Sequence, residues 1–378
     1  MSKSRIYLSS PHMGGKEQDY ISEAFEKNWI APLGPNVTGF EEDIRGYLNH
    51  NVEVAALSSG TAALHLALII AGVQKGDDVL CQSLTFAASA NPITYVGANP
   101  VFVDSEPETL NICPNYLEDA IVDRIAHGKK PKAIIAVHLY GMPYDVESVA
   151  RISNKFGIPV IEDSAEALGS SYKGRKCGTF GDCAILSFNG NKIITTSGGG
   201  ALVTKNPSSK EKAIFLATQA RDQAPHYQHS EIGFNYRLSN VCAGIGRGQM
   251  EVLDEHITLR RRMNEFYSNL FRDMNGVTVY KEPDNDYYCN HWLTVVTIDP
   301  EKAGFDREEL RLRLEKENIE SRPLWKPMHL QPVFSEAPFY GGHVSASAFE
   351  KGLCLPSGSN LTDEEKKRIE NTITEFLR

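Results

Sequence analysis

The sequence is short of the features that send a chain to a membrane, a metal ion or a nucleotide. Its longest apolar run, "AALHLALIIAGV", is too short to span a bilayer and carries His65. The opening "MSKSRIYLSSPHMGG" holds no long apolar core, so no secretion signal is expected. Seven cysteines (Cys81, Cys113, Cys177, Cys183, Cys242, Cys289, Cys354) are scattered, odd in number and without a C-x-x-C pair. That pattern suits reduced thiols rather than a disulfide framework or a zinc site. Neither G-x-x-x-x-G-K-[ST] nor a strand-linked G-x-G-x-x-G occurs, which disfavours ATP and dinucleotides. H-E-x-x-H is missing as well, and His226 and His229 have no carboxylate partner in a helical pattern, so no metal is expected. Positive charge is also scarce: 39 Lys and Arg face 48 Asp and Glu, for a net charge of −9. This balance argues against nucleic acid and anionic membrane surfaces as partners. The main basic run, Arg260 to Arg262, follows "LDEHITL" and reads as a solvated helix face. No internal repeat or low-complexity tract is seen, and the expectation is a soluble, cytoplasmic protein.

What is present is globular. The 378 residues, 41% hydrophobic and 23% charged, suffice for about two domains with real cores. Between about 50 and 205, short runs rich in Val, Ile and Ala ("VEVAAL", "DDVLCQ", "NPVFVD", "PKAIIAVHLYG", "IPVIED") alternate with helical patterns. Such runs are strands buried on both faces, and the alternation predicts an α/β fold around a large, mainly parallel sheet. Beyond about 245 the pattern becomes a strand-and-helix mixture, as in a smaller α+β domain. A long amphipathic helix near 247–272 is expected to join the two, giving domains at 1–246 and 247–378.

Three stretches carry candidate chemistry. "LSSGTAALHLAL" sets Ser58, Ser59, Gly60 and Thr61 where a strand ends and a helix begins. Free N–H groups and hydroxyls there form an anion site, although a plain N-cap uses the same residues. "IPVIEDSAEALGS" ends a buried strand on Glu162 and Asp163, where ligands bind in open α/β sheets; Asp163 could equally cap the following turn. "SFNGNKIITTSGGG" brings Ser187 and Lys192, and Lys192 is the only charged residue between Asp182 and Lys205. Any one lysine is ordinarily a solvated surface charge, but a lysine in a desolvated site is a nucleophile toward carbonyls. Taken together, phosphate loop, carboxylate and lysine are the parts that hold pyridoxal phosphate.

Those motifs, with "SLTFAASANPITYVGANPVFVD", "VHLYGMP", "GFNYRLSN" and "RPLWKPMHLQPVF", resemble the DegT/DnrJ/EryC1/StrS family of sugar aminotransferases, in order and over nearly the whole chain. The family lies within the fold-type-I, aspartate-aminotransferase-like enzymes that use pyridoxal 5′-phosphate and, between half-reactions, pyridoxamine 5′-phosphate. The resemblance implies that Lys192 bonds the cofactor's aldehyde and that Asp163 pairs with its ring nitrogen. Ser59, Gly60, Thr61 and Ser187 are implied at the phosphate, Phe86 on the ring and Glu166 near the cofactor. Asn235 is implied to reach the phosphate of the neighbouring subunit in a homodimer with shared active sites. Arg237, Trp325 and His329 are implied to contact the sugar nucleotide. Two positions depart from the family's habit: Glu166 stands where His or Gln is frequent, and Ser197 where Glu is usual. Both resemble the subgroup that passes the amine of L-glutamate to C4 of a UDP-linked 2-acetamido-4-keto-6-deoxy sugar on the way to N-acetylbacillosamine. A dTDP- or GDP-linked ketosugar is the alternative substrate, and a non-catalytic cofactor-binding protein the alternative class. Lys192 argues against the dehydratase branch, which carries histidine there.

Overall fold

Alternation in the strands decides the layers. In Glu53–Leu57, Val54 and Ala56 enter one apolar cluster while Ala55 and Leu57 enter another, and the same split recurs along Cys183–Ser187 and Gly200–Thr204. A sheet with both faces covered needs apolar residues at every position, which the runs supply. The computed structural model describes residues 3–49 and 51–377. Its main sheet has eight strands in the order Glu53–Leu57, Gly200–Thr204, Cys183–Ser187, Val160–Asp163, Ala133–Val137, Asp78–Gln82, Asn99–Val103 and Phe339–Tyr340. Gly200–Thr204 runs antiparallel to both neighbours and the remaining pairs are parallel, so the sheet is mixed but mainly parallel.

Helix Gly60–Ile70 has apolar residues around its whole circumference because it is buried, packed on the sheet and on helix Pro207–Ala217. This accounts for the run that stood out in the sequence. Helices Pro35–Tyr47 and Asn240–Met250 cover part of the opposite face, and Pro114–Ala126 and Val146–Phe156 the rest. Burying each Leu, Ile or Val there stabilises the fold by about 1.5–3 kcal/mol.

A second sheet of four antiparallel strands (Val277–Val279, Thr294–Ile298, Gly352–Leu355, Arg322–Pro323) packs with helices Leu253–Leu270, Arg307–Lys316 and Asp363–Phe376. Two segments cross between the layers. Ile6 bridges to Ile319 and joins the second core, while Phe339–Tyr340 returns to extend the first sheet. The expected single helix over 247–272 is two helices, Asn240–Met250 and Leu253–Leu270, with Glu251 and Val252 between them. The first is held on helix Glu17–Glu26, where a Cβ at Gly248 would lie 2.7 Å from the Glu17 backbone nitrogen. The second must turn away to reach the other core, and the break lets both pack. Among the described residues, no helix is long and apolar enough to cross a membrane.

Candidate active site

Strand register brings the three chemical stretches to one edge. Gly200 pairs with Leu57 on one side and Ser187 on the other, while Asp163 pairs with Ile185 on the next strand along. The strand ends at Leu57, Asp163 and Ser187 therefore surround one cavity of about 200 Å³. Its walls include Ser58 to Thr61, Phe86, Asp163, Glu166, Ser187, Lys192 and Trp325. Nine of the twelve predicted site residues meet there: Ser59, Gly60, Thr61, Phe86, Asp163, Glu166, Ser187, Lys192 and Trp325.

Ser59 is the N-cap of helix Gly60–Ile70, its Oγ accepting from Ala62 N at 3.0 Å. The cap and anion readings are thus compatible: the N–H groups of Gly60 and Thr61 begin the first turn, where a helix offers no acceptor of its own. Gly200 makes this possible, because a Cβ there would lie 2.3 Å from the Ser59 carbonyl carbon and 2.4 Å from Gly60 N. Opposite, a Cβ on Gly60 would come 3.0 Å from Ser187 Cβ, so the helix start and the Ser187 hydroxyl share one cradle.

Asp163 is 5% exposed and fixed in direction by two donors, Ser89 Oγ at 2.7 Å and Ala165 N at 3.1 Å. Ser89 is held in turn by Thr85 Oγ1 at 2.7 Å. Glu162, its neighbour, points into the opposite layer. There it meets His138 Nε2 at 2.7 Å and accepts from the N–H groups of Gly178, Phe180 and Gly181. Burial alone would raise the Glu162 carboxyl, but His138 and these donors outweigh it and hold it low. With Cys177 they form a buried His–Glu–Cys group, whose imidazole also accepts from Tyr144 N at 3.3 Å.

Lys192 Nζ lies 3.5 Å from Glu166 Oε1 and 4.0 Å from the centre of the Trp292 ring. Burial raises the Glu166 carboxyl above its ordinary range, partly offset by Lys192 and by the Tyr140 N–H, which donates to Oε2 at 2.6 Å. Phe86, 51% exposed, stands at the mouth with its ring centre 5.2 Å from that of Trp325. The Trp325 indole N–H is buried without a partner among the described residues.

The other three predicted residues lie outside the cavity wall. Asn235 is exposed on the strand-like segment facing Thr218. His329 bonds Ser83 Oγ through Nδ1 at 2.7 Å and stacks on Phe339 at 3.7 Å, and burial lowers its pKa. Arg237 is occupied by an ion pair with Glu41 and by the Ala56 carbonyl at 2.9 Å, so its guanidinium ties helix Pro35–Tyr47 to the first strand. Ser197 is exposed at φ +70° and off the wall, which Gly198 and Gly199 line instead.

Sequence reasoning missed Trp292, Ser89 and Arg260. The first two, in the approach to a strand and in a short helical turn, carry no diagnostic spacing. Arg260 overturns the solvated-face reading of the basic run: it is 1% exposed. It donates to the carbonyls of Trp292 (2.7 Å) and Ser357 (3.3 Å), to Ser9 Oγ (3.0 Å) and to Lys192 O (3.5 Å). Burial lowers this guanidinium to about 9.

The donor set fits a phosphorylated aldehyde on an aromatic ring. A helix start and a hydroxyl suit the phosphate, a buried oriented carboxylate suits a protonated ring nitrogen, and a partly buried lysine suits the aldehyde. This sheet, with that constellation at its strand ends, defines a fold-type-I pyridoxal phosphate enzyme. Comparison with known proteins gives the narrower placement. The model of the DegT/DnrJ/EryC1/StrS aminotransferase family matches residues 11–374, and the chain belongs to that family. It is 52% identical over 369 residues to EpsN of Bacillus subtilis (97% of this chain, 94% of the relative). It is 38% identical over 372 residues to a GDP-perosamine synthase of Escherichia coli O157:H7 (98% of each). A DegT DnrJ EryC1 StrS aminotransferase from Brucella abortus superposes with a TM-score of 0.88 at 29% identity, over 96% of this chain and 95% of the other. The PLP form of Spr1654 from Streptococcus pneumoniae gives 0.88 at 25% identity, over 99% of this chain and all (100%) of the other. The chain is a pyridoxal phosphate-dependent aminotransferase of the nucleotide-sugar type.

Proposed function

We propose that this enzyme moves the amino group of L-glutamate to the C4 keto carbon of a UDP-linked 2-acetamido-4-keto-2,6-dideoxyhexose. The product is a UDP-4-amino-4,6-dideoxy-N-acetylhexosamine for glycan biosynthesis, on the route to N-acetylbacillosamine. The cofactor, when bound, supplies an electron sink and carries the amine between the two substrates. The chain's own residues do the rest. Gly60 and Thr61 at the helix start, with Ser59 and the Ser187 hydroxyl, grip the phosphate. Asp163 keeps the ring nitrogen protonated, Phe86 covers the ring, and Glu166 offers a carboxyl beside it. Lys192, once free, takes a proton from the substrate carbon and returns one, a general acid–base role. Trp325, whose indole N–H has no partner among the described residues, and His329 contact the sugar nucleotide. A homodimer, with Asn235 of one subunit completing the phosphate site of the other, accounts for that residue's exposure.

The observation that carries the reading is the meeting of Lys192, Asp163 and the helix Gly60–Ile70 start in one cavity. The UDP-linked acetamido sugar rests on Glu166 and Ser197, the two departures shared with that subgroup. GDP- or dTDP-linked ketosugars are the second reading, favoured by the GDP-perosamine synthase relative. A panel of UDP-, dTDP- and GDP-4-ketosugars with L-glutamate as donor tests it. Transfer to the UDP-acetamido sugar with the highest kcat/KM is expected, and preference for a GDP or dTDP sugar would replace it with the second reading.

A further inference from the structure

Lys192 is released from the cofactor during every turnover, and its free amine needs a defined place. The Trp292 ring provides a face 4.0 Å from Nζ and is itself 2% exposed. Three anchors hold Trp292, one on the indole and two on its backbone, each leading back to a segment of the site. Its Nε1–H donates to Asn191 O at 2.7 Å, beside the lysine itself. Its carbonyl accepts from Arg260 at 2.7 Å, and Arg260 also reaches Lys192 O at 3.5 Å. Its backbone N–H donates to Asn290 Oδ1 at 2.9 Å, and the Asn290 amide donates to the carbonyls of Glu166 and Leu168, each at 2.9 Å. The preceding residue, His291, sits in the left-handed region at φ +47°, so the loop's turn is imposed by these contacts.

We propose that the indole face of Trp292 is the resting platform of the Lys192 amine whenever that amine is free, and that it holds the ammonium formed when Lys192 takes up a proton from the substrate carbon. In that step the C–H bond breaks, the proton goes to Nζ, and the electron pair left on the substrate carbon would be taken up by the electron sink that the bound cofactor supplies. An aromatic face attracts an ammonium without offering an oxygen to trap it. The charged and titratable groups around the amine are Glu166 at 3.5 Å, Asp163 across the cavity, and Arg260 behind the lysine carbonyl. Arg260 and Asn290 are positioning residues for the platform. The inference rests on the aminotransferase chemistry and is independent of which sugar nucleotide is used.

The test is NMR of the full chain with 13Cε-labelled lysine, loaded with pyridoxamine phosphate so that Lys192 is free. The Lys192 Hε signal is expected upfield of the ordinary lysine position through the indole ring current, distinct from any shift at Lys155, Lys173, Lys176 or Lys212, which lie over other rings. It should be absent in Lys192→Ala, return to the ordinary position in Trp292→Leu, and remain displaced in Trp292→Phe. A folded wild-type protein without a displaced Lys192 signal overturns the proposal, even if Trp292→Leu fails to fold. So does a displaced Lys192 signal that Trp292→Leu leaves in place. In single-turnover kinetics, Trp292→Leu is expected to slow the L-glutamate half-reaction by about 2- to 30-fold, the range carried by a cation–π contact, with KM unchanged. Trp292→Phe should recover most of that rate. Equal losses in both variants would make Trp292 merely structural and sink the proposal.

Discussion

Gly200→Ala isolates the cradle from the chemistry. The added Cβ would lie 2.3, 2.4 and 2.5 Å from Ser59 C, Gly60 N and Ser59 O. All three are backbone atoms, so no side-chain rotation relieves the clash. Gly200 cannot retreat either, since it sits between Leu57 and Ser187 in the sheet. To reach ordinary contact, about 3.5 Å between carbons, the helix start must move by about 1 Å. Overpacking of this kind costs about 1–3 kcal/mol. In a chain of this size that lowers the melting temperature by roughly 1–4 °C. The displaced atoms include an N–H assigned to the phosphate, so cofactor affinity should fall, and a misplacement of about 1 Å can cost about 10²-fold in rate. The assays are a thermal melt of the cofactor-free protein and a cofactor titration followed by absorbance. Gly190→Ala, with nothing within 4 Å of its Cβ, is the stability control and should melt like the wild type. A Gly200→Ala protein that binds pyridoxal phosphate with unchanged affinity would refute the placement of the phosphate.

Asp163→Asn should lower kcat by about 10²–10³-fold, the range of a lost electrostatic partner, with the fold intact by circular dichroism; a variant near the wild-type rate would remove Asp163 from the chemistry. His138→Ala leaves Glu162 as a buried charge without its counterpart and should destabilise by about 3–5 kcal/mol in urea titrations. Because the Glu162 carboxyl is held low when folded, its contribution is present above its unfolded value of about 4.5 and lost as pH falls through the folded one. Urea melts of the wild type at pH 7 and pH 4 should show that loss. The opposite sign applies to His291. Burial opposes its charge, but Cys289 and Glu282 outweigh burial and raise it from 6.5 to about 9. Its stabilisation is complete below pH 6.5 and disappears as pH rises through about 9, so His291→Gln should flatten the stability profile across that window.

The main sheet was legible because strands buried on both faces write themselves as continuous apolar runs, as in Ala133–Val137. The cradle was legible because a helix start with Ser59, Gly60 and Thr61, a strand ending on Asp163 and a lone charge at Lys192 each leave a local mark. Other features depend on contacts far apart in the chain and leave none. The antiparallel course of Gly200–Thr204 follows from its neighbours and not from its own apolar pattern. Arg260 reads as one of three exposed arginines until the carbonyls of Trp292, Ser357 and Lys192 converge on it. Trp292 lies 100 residues from the lysine it faces, and only tertiary packing joins them. Arg237 shows the converse: its motif places it near the site, but Glu41 and the Ala56 carbonyl occupy it.

The central claim is that Lys192 is the residue that bonds the cofactor and moves the proton. Borohydride reduction of the pyridoxal phosphate-loaded protein, followed by peptide mapping, tests it directly. The label should fall on Lys192 alone, within "SFNGNKIITTSGGG", and Lys192→Ala should bind cofactor without being labelled there or turning over. A label on another lysine, or sustained amine transfer by Lys192→Ala, would contradict it.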